Sequence, residues 1–493
     1  TGGVDALNDI LMYMCFSKTP ALSVSGDCRP FSTRADGTML GEGVGMLALR
    51  RLDDAERDGN KIYATIRGLG GASDGKGTAI YSPVPHGQAR ALTRAYEQAG
   101  YDPSTVDLVE AHGTGTKAGD KAEIEGLHMV FGEYASEAPW CAVGSIKAQI
   151  GHTKAAAGSA SLIKAAQALS RKVLPPTIKV EEPADAIKNS PVFYLNTEAR
   201  PWISPKKRPR RAAVSSFGFG GSNFHVTLEE YTGPNAVKPW RCLPAELFLF
   251  SADTPAALAS QIESFQTSLS EDEFAFRASQ THDSFDVTAP TRAAIVAQSP
   301  EELALKATSV IEAVQRGEVA NRPMKMGCHV SLDPPTDDKV AFMFSGQGSQ
   351  YVGMGADLAM VFPDARAAWD ESAGHKRAGE LKLHKLAFPP AAFDQVEHGD
   401  QTDRLKAMEH AQPAIAAVAL SHLALLARAG VQGDMAAGHS FGEIMALHYG
   451  GSMNTTGALS AAVDRGALMA EAAQSSSGSM MAVQAASEEI GHI

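Results

Sequence analysis

Three side chains in this sequence are placed for acyl chemistry. Ser440 stands in GHSFGE at 438–443, a small hydroxyl between glycines. The G-x-S-x-G pattern predicts a tight strand-to-helix turn that exposes it. His112 stands in EAHGTGTKAGDKAE and His152 in GSIKAQIGHTKAAAG. Each follows a predicted strand end among glycines, where backbone can approach a ligand closely and where α/β sheets open their crevices. A lone histidine is more often a structural one satisfied by a neighbour. Two in such settings, with Thr114, Thr116, Asp120, Ser145 and Lys147 nearby, outweigh that reading.

These groups need elements to hold them. The run 61–67 (KIYATIR) reads as a strand and 86–99 as a helix with apolar residues at helical spacing. Short strands are expected at 107–110, before the His112 loop, and at 140–143, followed by a loop and a helix over 155–170. Strand, polar loop and helix in repetition predict layered α/β architecture. From 231 to 338 the texture changes to Ala, Ser, Glu and Pro with few glycine loops, a linker carrying a small α/β subdomain. A strand at 339–344 (KVAFMF) then runs into SGQGSQ, and a helix over 413–428 and a further strand lead to GHSFGE.

At 493 residues the chain is expected to hold about three domains. Hydrophobic residues at 44% and charged residues at 20% are ordinary globular values. A net charge of −12 argues against a nucleic-acid surface. The five cysteines, Cys15, Cys28, Cys141, Cys242 and Cys328, show neither CxxC pairing nor metal spacing, which points to the reducing cytoplasm and to no metal. No apolar run approaches the roughly 20 residues of a membrane span. The most apolar stretch, 413–430, is interrupted by Ser421, His422 and Arg428 and reads as a buried helix.

The two histidine motifs, with CRPFSTRADGTMLGEGVG at 28–45 and SSFGFGGSNFHV at 215–226, resemble the ketosynthase family, which has a thiolase-type fold, over residues 1–230. In that family an acyl chain rides on a cysteine thiolate while a malonyl-carrier loses carbon dioxide to give an attacking enolate. The resemblance implies that His112 and His152 hold the enolate oxygen, a role suited to two imidazole N–H donors. It also implies that Lys147 orders the site, that Thr114 and Thr116 bond the pantetheine arm, and that Phe219 gates the acyl pocket. Asp120 and Glu123 are expected to brace the loop. The family's nucleophilic cysteine would fall before Thr1. Cys15, in the apolar run MYMCFS, is expected to be packed, and Cys28 lies in a segment the family does not use for catalysis.

From about 339 to the end, FSGQGSQYVGMG at 344–355, AQPAI at 411–415, GHSFGE and Arg465 resemble the malonyl-CoA:acyl-carrier-protein acyltransferase family, with a partial α/β-hydrolase-like fold. The resemblance makes Ser440 the nucleophile and the N–H groups of Gln347 and Phe441 its oxyanion hole. Arg465 becomes the partner of the malonyl carboxylate, which its planar fork fits bidentately. The family's catalytic histidine would fall beyond Ile493, so each reaction centre is expected to be cut and the piece weak alone. The order implies a type I synthase that extends carrier-bound chains with malonyl-CoA. MYMCFSKTPALS at 12–23 and GSIKAQIGHTKAAAG at 144–158 look closest to polyunsaturated fatty acid synthases, with modular polyketide synthases as the near alternative. A non-catalytic binding piece and a serine hydrolase are further readings. The expected partners are phosphopantetheine-linked acyl carrier domains and a second copy of the chain; no directly bound cofactor, nucleic acid or membrane is expected.

Overall fold

Leu108, Val109 and Glu110 are all buried, as a parallel strand covered on both faces must be. This computed structural model describes residues 1–75, 79, 82–205, 208–237, 243–266, 269–317 and 327–475. Cys242 and the stretch 476–493 lie outside the described residues. The strand Leu108–Glu110 pairs in parallel with Cys141–Gly144 and with Arg211–Gly218. Phe193–Leu195 extends the parallel edge, while Ser222–Glu229 pairs antiparallel with Arg211–Gly218 and with Thr65–Ser73 to complete the sheet. Six strands result.

Alternation along these strands makes the layers. Val109, Cys141, Val143 and Phe193 pack with Leu92, Tyr96, Ile124 and Leu127 of the helices Pro85–Ala99 and Lys117–Phe131. Leu108, Ala142, Ala212 and Val214 pack with Ala165 and Leu169 of the helix Ala157–Arg171. A three-layer α/β arrangement follows from the two-residue period of the strands.

The strand expected at 61–67 is instead Thr65–Ser73, running through GLGGAS. Glycine there serves close approach, not a turn. A Cβ on Gly68 would lie 2.1 Å from the Ala95 carbonyl oxygen and one on Gly70 1.9 Å from that of Ala91, so the helix Pro85–Ala99 rests directly on the strand backbone. Near the start, Gly2–Asp5 pairs with Gly43–Met46. The next helix, Ile10–Lys18, buries no residue, and Cys15 is exposed. This corrects the expectation that Cys15 is packed: Ile10, Leu11 and Met14 are exposed beside it, because an apolar sequence buries only where another element covers it.

Trp240–Val340 forms a compact unit of its own. Its strands Glu246–Ala252, Thr291–Ala297 and Cys328–Ser331 are antiparallel and carry three helices over a core that includes Phe248, Ile295 and Val310.

Thr1–Pro239 and Ala341–Ile493 cluster together as the other unit. In its second part Ala341–Phe344 and Met435–Gly438 pair in parallel. The helix before the serine turn spans Met408–Arg428, with Pro413 inside it. It begins before the expected 413 because Ala411 and Gln412 are themselves buried helical positions. Among the described residues this one helix is long and apolar enough to cross a membrane, and half of its apolar window is buried, where the helices Pro363–Gly374 and Thr455–Ser475 pack on it. The two parts meet at a buried ion network. Arg210 donates to both oxygens of Asp370 at 2.7 Å and pairs with Glu230 at 3.0 Å, and the Ser204 N–H adds a bond of 2.8 Å to Asp370. Removing one member of such a network strands a buried charge.

Candidate active site

The loop after Leu108–Glu110 is fixed by side chains from the helix that follows. Thr116 caps that helix, accepting from the Gly119 N–H at 3.2 Å. One turn further in, Glu123 accepts from the N–H groups of His112 and Gly113, both at 2.7 Å. Asp120 accepts from Phe31 at 2.7 Å and Gly115 at 3.1 Å. From the other side the His112 carbonyl accepts from Lys147 Nζ at 2.5 Å and from Ser145 Oγ at 3.3 Å. The backbone of His112 is therefore held at both ends and its ring is left uncommitted: Nδ1 is buried with no partner.

His152 completes the pair. Its N–H donates to the Met39 carbonyl at 2.6 Å, and its Nδ1 accepts from the Lys154 N–H at 3.0 Å, which places the neutral ring's proton on Nε2. The two imidazoles meet edge to face with centroids 5.3 Å apart. Burial, helped by Lys147 and Lys154, pushes His152 down to about 3. Burial, Lys147 and His152 hold His112 well below its ordinary value. Both rings are thus neutral N–H donors. Burial also lowers Lys147 against the pull of nearby carboxylates, and raises Asp120 and Glu123 to about 7.

The rings open on a cavity of about 530 Å³ that Thr114, Thr116 and Phe219 also line. Thr114 and Thr116 share a hydroxyl contact of 2.9 Å. Phe219 is 65% exposed, with its ring 6.1 Å from that of Phe16. Cys28 is buried beside this site, its sulfur 3.4 Å from the Thr114 carbonyl, and burial pushes its thiol up. That is an inert thiol.

The second group gathers at the end of Met435–Gly438. Ser440 sits at φ 56°, a left-handed conformation that a non-glycine residue rarely adopts and that strain at a reactive turn explains. The flanking glycines are obligatory. A Cβ on Gly438 would fall 2.0 Å from the Gly442 carbonyl carbon, and one on Gly442 2.1 Å from the Phe344 carbonyl oxygen. Arg465 Nη2 donates to Ser440 Oγ at 3.1 Å and Nη1 to Gln412 Oε1 at 2.8 Å. Gln412 Nε2 donates in turn to Gln347 Oε1 at 3.0 Å. Among the described residues, the N–H groups of Gln347 and Phe441 have no protein acceptor.

Four family models match the chain in succession. They are the beta-ketoacyl synthase N-terminal domain over 1–55, its C-terminal domain over 63–181, the ketoacyl-synthetase C-terminal extension over 183–296 and the acyl transferase domain over 341–492. The chain belongs to the ketoacyl-synthase and acyl-transferase families, joined in that order.

The ketosynthase part contains the paired histidines and the acyltransferase part the strained serine. The chain is 37% identical to a polyunsaturated fatty acid synthase component of Thraustochytrium sp., over 92% of its length and 17% of the relative's. It is 34% identical to the phenolphthiocerol synthesis polyketide synthase type I Pks15/1 of Mycobacterium marinum, over 99% of its length and 23% of the relative's. It therefore spans less than a quarter of these relatives. A solved ketosynthase from module 6 of the bacillaene synthase of Bacillus subtilis 168 is 35% identical and covers 64% of this chain and 55% of its own, with a TM-score of 0.45.

Two residues escaped the sequence reading. Glu110 is fully buried, ion-paired to Lys164 at 2.7 Å and bonded to the Ile146 N–H at 2.6 Å. Gln412 links Arg465 to the Gln347 loop. Its signal was an amide in an otherwise apolar run, next to Pro413.

Proposed function

We propose that the protein extends carrier-bound acyl chains by decarboxylative Claisen condensation, with malonyl units loaded through Ser440. The observation that carries this reading is the pair of half-buried, neutral imidazoles 5.3 Å apart at a cavity lined by Thr114 and Thr116.

Loading begins when Ser440 Oγ attacks the thioester carbonyl of malonyl-CoA. The oxyanion is met by the Gln347 and Phe441 N–H groups, the carbon–sulfur bond breaks, and CoA leaves as the thiol with the proton that the serine hydroxyl gave up. Arg465, steered by Gln412, takes the free carboxylate and so selects a dicarboxylic donor. The malonyl group then passes to the pantetheine thiol of an acyl carrier. At the ketosynthase part Thr114 and Thr116 hold the pantetheine arm and Phe219 gates the acyl pocket. The bond to the malonyl carboxylate breaks and carbon dioxide departs. Its electron pair becomes an enolate whose oxygen is held by His112 and His152. The enolate carbon attacks the acyl thioester, which the family resemblance puts on a cysteine, and expels the thiolate. Lys147, anchored on the His112 carbonyl, keeps that ring in place and adds positive potential.

The reading extends to acyl carrier partners, a ketosynthase homodimer and a cytoplasmic setting. Polyunsaturated fatty acid synthesis is favoured by the 37% identity to the Thraustochytrium synthase. A modular polyketide synthase is the second reading, supported by 34% identity over the whole chain to polyketide synthase GfsB of Streptomyces halstedii. Radiolabelled malonyl-CoA tests the core claim in the full-length synthase. Label retained on the protein and lost in Ser440→Ala supports transfer, whereas release of free malonate makes it a hydrolase.

A further inference from the structure

A second cavity, of about 600 Å³, lies where the two parts of the larger unit meet, and none of its lining residues lines the cavity of His112 and His152. Four cations line it, Arg200, Arg208, Lys382 and Lys385, against the two carboxylates of Asp107 and Glu137. Asp107 is already spent: it pairs with Arg208 at 2.5 Å and accepts from Trp202 Nε1 at 3.1 Å. Among the described residues no carboxylate reaches salt-bridge distance of Arg200, Lys382 or Lys385. Arg200 lies over the Tyr194 ring at 5.2 Å and bonds only neutral oxygens, of Asn196 and of the Phe388 backbone. Three like charges gathered with no carboxylate paired to them cost free energy that an anion would recover.

Three further features point to the same spot. Trp140 Nε1, Arg200 Nε and His384 Nδ1 are buried without a partner, and all three residues line this cavity. Unmet buried polar atoms are uncommon and call for an explanation. Lys382 holds its backbone at φ 49°, a strained geometry that tends to mark binding sites. Burial and, after it, the surrounding cations push His384 down to about 3. The other walls include Trp140, Tyr194 and Phe388, and the volume falls in the range of small-ligand sites.

We propose that this cavity binds a small phosphate-bearing ligand with a planar ring. The phosphate sits among Arg200, Lys382 and Lys385, and the ring lies against Trp140 and Tyr194. Guanidinium and ammonium groups together suit phosphate oxygens, and aromatic walls suit a nucleobase.

The test uses the full-length protein, titrated calorimetrically at constant ionic strength with inorganic phosphate and with adenosine 3′,5′-bisphosphate. Saturable binding of the bisphosphate is expected, competed by inorganic phosphate. It should weaken at least about tenfold in Lys382→Gln/Lys385→Gln, with an unchanged melting midpoint of the ligand-free protein. Lys385→Gln alone, at an exposed position, serves if the double variant folds poorly. Equal affinity in the variants overturns the site, as does binding that sodium chloride reproduces. Bisphosphate no tighter than inorganic phosphate removes the ring from the proposal. If an acidic carrier protein loses affinity in the variants while both phosphates bind unchanged, the patch is a protein-docking surface and the small-ligand site is wrong.

Discussion

The two reactive regions are held by opposite means. Around His112 the chemistry rests on buried side chains that grip backbone: Glu123, Asp120, Lys147 and Ser145 all bond main-chain groups. Around Ser440 there is no such brace. The serine is exposed, and its geometry comes from a strained φ and from glycines that let one backbone press on another. The first arrangement depends on buried side chains from several elements, the second on five consecutive residues packed against the Phe344 backbone. A site that must hold two neutral donors for a charge that forms only during reaction needs a dry, rigid surround. A nucleophile that must meet an incoming thioester needs exposure, which a tight turn supplies.

That contrast can be broken from either side. The largest effect is expected for His112→Ala, which removes one enolate donor. Carbon dioxide release from malonyl-carrier should fall about 10²- to 10³-fold while radiolabel still loads on Ser440. Loss of both activities would mean that the two regions do not act separately. Arg465→Ala comes next. Losing a charge-assisted contact costs about 1.5–3 kcal/mol, so malonyl-over-acetyl preference should drop roughly 10- to 100-fold in donor competition. Unchanged preference would leave Arg465 as a structural partner of Gln412. The smallest effect is a pH slope. His152 titrates at about 3 in the folded protein against about 6.5 when unfolded. Above the unfolded value it contributes nothing; below it the unfolded chain takes up the proton first and stability falls towards pH 3. His152→Gln should therefore lose melting temperature less steeply than the parent between pH 6.5 and 4. Parallel slopes would contradict the buried neutral ring.

How far the sequence could be read follows the same divide. GHSFGE announced its own turn, because the required glycines are neighbours of the serine they serve. GLGGAS at 68–73 lay outside the strand expected at 61–67 and is strand, since the helix that presses on Gly68 and Gly70 is remote from them in pattern though close in space. Cys15 looked packed because its run is apolar, yet no described element covers its side of that helix. Gln412 was visible only as an odd amide, and its role needed Arg465 and Gln347 brought to it from 53 and 65 residues away.

By itself, then, the sequence determined the layered α/β class, the serine turn and which residues could do acyl chemistry. These depend on residue period, on glycine at fixed offsets and on side-chain type, all local properties. Only the tertiary structure decided that the two imidazoles face each other, that burial keeps them neutral, and that unpaired cations line a cavity where the parts meet. Distance, desolvation and summed charge arise when remote segments share one volume, and no local pattern encodes them.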